Sequence, residues 1–205
     1  MTTIITIKEA ELIKKTNWIL LWVSIVYIAI FMACFLERDA QEQYFIILFF
    51  LIVFFVNPRV HEPLHAAAFK LLTGKSMQIV YTLFDPHCYS HEHCTVSVRM
   101  ITLLAPFIQV ASVGILGAIS YLLRAPDSIS ASFSLWALAS LVGMSKDIYE
   151  AHLLHYLPWN ASIDYDPVEC QGEIATERPL DARTMRMLSS LKATWQIMPE
   201  SKSSQ

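Results

Sequence analysis

The residues of this chain best suited to chemistry are His61-Glu62-Pro63-Leu64-His65. On a helix, positions i and i+4 share a face, so both imidazoles can reach one metal ion at bonding distance. Glu62 lies about 100° further round and can accept a proton from a water that the metal has acidified. This HExxH spacing is the pattern of a zinc site with a carboxylate general base. The bland reading is a pair of polar residues at headgroup level capping an apolar helix. Against it stands the cost of ionisable groups at membrane depth, on the order of a few kcal/mol for a central charge. A catalytic zinc also takes a third protein ligand and keeps one position open. Asp147, in Gly143-Met144-Ser145-Lys146-Asp147, is the first candidate, a carboxylate on another apolar segment at comparable depth. A salt bridge with Lys146 is the competing reading of that residue. His152 and His155 come next, then His91 and His93, with His87 close by.

These residues must be carried by membrane helices. Hydrophobic residues make up 55% of the 205 and charged residues only 16%, and the apolar ones come in blocks, which excludes an ordinary soluble domain. A bilayer core is spanned by about 20 apolar residues. Asn17 to Leu36 and Met100 to Leu123 meet that length directly. Tyr44 to Val56 is too short alone and suffices only if the helix continues through Asn57 and Pro58 into HEPLHAAAFKLL. Ala131 to Leu157 is apolar to Met144 and then carries Lys146, Asp147, Glu150, His152 and His155. The expected fold is mainly α, a polytopic membrane protein with about four transmembrane helices and a small β-hairpin between spans two and three. Residues 1–158 form the membrane-embedded domain and 159–205 a cytoplasmic polar tail. The first span reads as a retained anchor, since it is too long for a signal peptide and lacks a cleavage pattern.

Lys and Arg in the short flanks set the orientation. Lys8, Lys14 and Lys15 precede the first span, and Lys70, Lys75 and Arg99 lie between the second and third. Arg178, Arg183, Arg186 and Lys192 follow the fourth, whereas Arg38 and Arg124 stand alone in the opposite loops. Both termini are therefore expected in the cytoplasm, as for a multi-pass protein of the plasma (inner) membrane. His61 and Asp147 then fall in the cytoplasmic half. A net charge of −3 without basic runs points away from nucleic acid. Cys34, Cys88, Cys94 and Cys170 form neither a disulfide framework nor a zinc-ligand pattern.

Local signals refine the elements. Met77 to Phe84 and Cys94 to Val98 are rich in β-branched and aromatic residues around a turn at Asp85-Pro86, which predicts a hairpin from Met77 to Val98. Pro58 and Pro63 each remove a helical N–H, so the second span is expected to kink or restart near Asn57, with Asn57 as N-cap. DARTMRMLSSLKATWQ reads as a short amphipathic helix, and ESKSSQ as a disordered end.

Three stretches together resemble a family of zincin-type membrane peptidases distantly similar to site-2 proteases. HEPLHAAAFKLLTG matches an HExxHA followed by a basic residue and glycine. The β-rich segment through Cys88 and Tyr89 leads into VRMITLLAPFI, with its arginine and Pro106, and SKDIYEAHLLHYLPWNASIDYD looks like a late aspartate motif. The aspartate does not sit in an Asn-Pro-Asp-Gly type sequence. The resemblance implies a membrane-embedded zinc metallopeptidase, with His61, His65 and Asp147 on Zn2+ and Glu62 as general base. Its partners are the lipid bilayer and a peptide or membrane-protein substrate. The alternative function is a non-catalytic metal-binding membrane adaptor or sensor, which needs the histidines but not Glu62. The hairpin is expected either to hold a substrate extended by strand addition or to serve as a plain connector.

Overall fold

A computed structural model describes residues 2–8, 18, 21–22, 24–32, 36, 39–82, 87–90, 92–166, 171–177, 180–190 and 194–198. Strand β1 (Thr2–Lys8) comes first. Of the expected first span, residues 18, 21–22, 24–32 and 36 are helical, and the rest lie outside the described residues. Tyr27 and Phe31 of this stretch pack against Phe50 of the next helix, with ring centroids 6.2 and 5.2 Å apart.

That next helix, α1 (Ala40–Thr73), is 34 residues long. Asp39 caps its start, with Oδ1 accepting the Glu42 N–H at 2.9 Å. Gly74 ends it in the left-handed region at φ 73°, its N–H returning to the Lys70 carbonyl at 2.8 Å. Of the kink or restart expected near Asn57, the restart does not occur: α1 runs unbroken through Pro58 and Pro63. Each proline removes one ladder bond yet has a helix-compatible φ. Asn57 is buried and turns inward to neighbouring helices instead of capping.

The hairpin is shorter than expected. β2 (Gln78–Val80) pairs antiparallel with β3 (His87–Tyr89), and the Tyr89 hydroxyl donates to Gln78 Oε1 at 2.8 Å. Both strands lie against α1. Cys94 to Val98 does not complete this hairpin. β4 (Cys94–Thr95) joins a different sheet, and Val96 already begins helix α2 (Val96–Leu104). Thr95 Oγ1 accepts from the Val98 N–H, and the Val96 and Ser97 N–H groups donate to the Ala161 and Trp159 carbonyls at 3.0 and 3.1 Å. Capping thus overrides the strand preference of three consecutive residues.

After a break at Ala105-Pro106 the chain continues as α3 (Phe107–Leu122). α4 (Asp127–Gly143) and α5 (Ser145–Leu154) follow, bent by 46° relative to each other. Among the described residues two helical stretches, Ala40–Thr73 and Val96–Leu122, are long and apolar enough to cross a membrane, or three if the bent pair is one span. Large apolar side chains such as Leu48, Leu51, Ile108 and Ile115 lie exposed on them, as a lipid-facing surface requires.

The residues after Pro158 supply β5 (Ser162–Asp166), β6 (Gln171–Thr176), α6 (Ala182–Ser190) and β7 (Thr194–Met198). The segment expected as one amphipathic helix is thus α6 plus β7, and ESKSSQ lies outside the described residues. The strands build an antiparallel sheet in the order β4-β5-β6-β1-β7, so the first strand of the chain sits between two of the last. Ile5, Ile163 and Ile174 of the sheet share one core with Val96 of α2, Leu154 of α5 and Leu188 of α6. Burying each such side chain stabilises by about 1.5–3 kcal/mol relative to leaving it in water. The sheet is therefore packed directly onto two of the helices that carry the site.

Candidate metal centre

α1 places His61 and His65 one turn apart on its buried face, and the first turn of α5 brings Asp147 to them. The Nε2 atoms of the two imidazoles are 3.0 Å apart. Asp147 Oδ2 lies 2.9 Å from His61 Nε2 and 3.4 Å from His65 Nε2. On the far side of its ring, His65 Nδ1–H donates to the Thr102 carbonyl of α2 at 2.7 Å. A carbonyl can only accept, so in the neutral ring the proton sits on Nδ1 and the Nε2 lone pair is turned toward the cluster.

The donor set fits a metal ion. Two imidazole nitrogens and a carboxylate oxygen all lie within 4.8 Å of one another and can hold one. In a tetrahedral site with bonds of about 2.0–2.1 Å, neighbouring ligand atoms are roughly 3.3–3.4 Å apart. The three separations fall at or a few tenths of an ångström inside that spacing, so a small outward adjustment accommodates an ion. Glu62 is half-buried beside His61. The Cys88 thiol of β3 is near its carboxylate, and burial together with that negative charge pushes the thiol pKa up.

The other candidate ligands are elsewhere. His152 and His155 are exposed, their rings edge-on to Tyr156 at 5.2 and 5.7 Å. His93 is exposed with Nδ1 3.5 Å from Asp164 Oδ1. His91 and the side chain of His87 lie outside the described residues.

Two supports of the centre had no clear sequence signal. The Thr102 carbonyl is backbone, so no residue type announces it. Arg99, expected as a loop charge, is inside α2 and donates from Nε to Glu150 Oε1 of α5 at 2.8 Å. Arg99 lies a turn before Thr102 and Glu150 a turn after Asp147, so this pair clamps the two helices next to the centre. The one hint was an arginine leading directly into MITLLAPFI. In the following helix, α3, Gln109 is buried and bonded to Asn57. In comparisons with known proteins the chain matches no family model, no curated protein and no solved structure.

Proposed function

We propose that the chain is a membrane-embedded zinc metallopeptidase in which His61, His65 and Asp147 hold the metal and Glu62 is the general base. The observation that carries this reading is the convergence of three lone-pair donors from two distant segments, with a further carboxylate alongside. When bound, zinc supplies a Lewis acid that acidifies a water and polarises a scissile carbonyl. Glu62 takes the proton from the attacking water and delivers it to the departing amine nitrogen. The two-stranded β2–β3 sheet beside Glu62 has outer edges unpaired by any described strand, to which an extended peptide can add.

Four spans with both termini cytoplasmic complete the proposal. A sheet cannot lie in lipid with open edges, so its five strands share one side of the membrane. Between β1 and β4 the chain must then cross an even number of times, and again between β4 and β5. If α1 crosses, the helical residues before it must cross too. If α2 and α3 cross, the bent α4–α5 pair must return. Lys70, Lys75, Arg99, Arg183 and Arg186 lie toward the sheet end and Arg124 at the opposite end, which supports a cytoplasmic sheet.

A metal sensor without turnover is the second reading, because His61, His65 and Asp147 can hold a metal ion without Glu62. Elemental analysis of detergent-purified protein tests the shared part. Wild type is expected to hold about one zinc per chain and both His65→Ala and Asp147→Ala to lose it. Iron in place of zinc would reassign the centre, because two histidines and one carboxylate also suit Fe(II). Glu62→Gln separates the two readings. In a peptidase it keeps the metal and lowers turnover of an unfolded reporter substrate by about a hundredfold or more. Metal-free wild type, even after resupply, sinks both.

A further inference from the structure

Asn57 lies one turn before His61 on the same face of α1 and is 8% exposed. Its Oδ1 accepts from Gln109 Nε2 of α3 at 2.7 Å, from Ser140 Oγ of α4 at 2.6 Å and from Trp136 Nε1 of α4 at 3.2 Å. An indole N–H can only donate, so the atom facing these groups is the amide oxygen. Three donors on two lone pairs oversubscribe it, and the Trp136 bond is the longest of the three. Gln109 shows how strongly this oxygen draws donors. By turning its NH2 toward Asn57 it leaves its own Oε1 buried with no partner among the described residues, an arrangement that costs free energy unless the bond it makes outweighs it.

α1 needs a brace at this point. Pro58 and Pro63, on either side of His61, have no N–H, so the carbonyls of Phe54 and Arg59 lose their ladder bonds. Asn57 supplies the brace from two neighbouring helices. On the α4 side the same oxygen grips Ser140, shortly before Gly143, where α4 ends and α5 departs at 46° with Asp147 in its first turn. A Cβ at Gly143 would lie 3.5 Å from Asn57 Nδ2, so the bend itself packs against this amide. One oxygen therefore ties the turn carrying His61 to the bend that aims Asp147.

We infer that Asn57 is a positioning residue for the metal centre, its amide oxygen locking α1 to α3 and α4 and so setting the distance between His61 Nε2 and Asp147 Oδ2. It touches neither metal nor substrate. This role rests on the metal-site reading above, and the test separates the two. Cobalt(II) titration of the full-length protein in detergent, followed by visible absorption, reports affinity and coordination geometry together. Thermal unfolding of the metal-free protein reports the fold. Asn57→Ala and Ser140→Ala are each expected to weaken cobalt binding roughly tenfold, as for the loss of an outer-shell contact, and to change the d–d band. Asn57→Asp keeps an acceptor oxygen and is expected to restore the band. Ser140→Ala removes a single hydroxyl, so it still decides the question if Asn57→Ala does not fold. Wild-type affinity and an unchanged band in the folded variants, whatever their unfolding temperature, overturn the role of Asn57 and leave the metal site standing. No cobalt or zinc on wild type overturns the metal site and this role with it.

Discussion

At the scale of single residues, the ion pair beside the centre is as consequential as the ligands. Arg99 and Glu150 are each less than a third exposed, with side-chain exposures of 29% and 19%. Truncating one partner leaves the other charge poorly solvated inside the helix bundle. Glu150→Ala is expected to destabilise the protein by about 2–3 kcal/mol, near the lower end for a broken buried pair. The double variant Arg99→Met/Glu150→Leu is expected to lose less, since it leaves no orphan charge. Denaturant unfolding of both in detergent checks this, and equal losses would mean that packing, not charge, carries the effect. The residues that converge here were readable to different degrees. His61, Glu62 and His65 follow from type and spacing alone. Asp147 was one of several candidates, because nothing local to a carboxylate 86 positions from His61 says which histidine it will meet. The Thr102 carbonyl had no residue type to announce it.

At the scale of elements, caps decided what propensity left open. Thr95 turned Val96 to Val98 into the start of α2 although their composition favoured a strand. The Asp181 side chain accepts the Thr184 N–H at 2.6 Å at the start of α6. The Thr184 hydroxyl and backbone N–H hold the Asp181 carboxyl below the usual carboxylate range. A depressed folded-state pKa stabilises fully above the unfolded value, about 3.9, and is lost as pH falls through the lower folded one. The protection of α6 amides, exchange rate corrected for its intrinsic pH dependence, is thus expected to fall below about pH 4 in wild type. In Asp181→Asn that loss of protection should be absent, and an identical pH profile would show that the cap does not titrate with the helix. Asn57 departs from its expected capping role for another reason, because bonds to Gln109 and Ser140 of distant helices claim its side chain.

At the scale of the whole molecule, the sheet is what joins the two ends of the chain to the helices. Among the described strands β7 has β1 as its one neighbour in the sheet, and β1 also pairs with β6. Deleting residues 2–8 removes the middle of that arrangement together with Ile5, which is fully buried in the shared core. The expected result is rapid proteolysis after Thr176, while the fragment containing α1 to α5 persists; an unchanged digestion pattern would mean that β7 holds without β1. The sequence by itself determined the HExxH face, the apolar blocks and the mainly helical character. These depend on residues a few positions apart, and helical periodicity, proline and hydropathy act over that range. Only the tertiary structure decided that Asp147 meets the two histidines, that Asn57 binds Ser140 across 83 positions, and that β1 closes a sheet with β6 and β7. Those pairings are selected by burial and hydrogen-bond satisfaction among segments far apart in sequence, and no local pattern encodes which of many suitable partners is chosen.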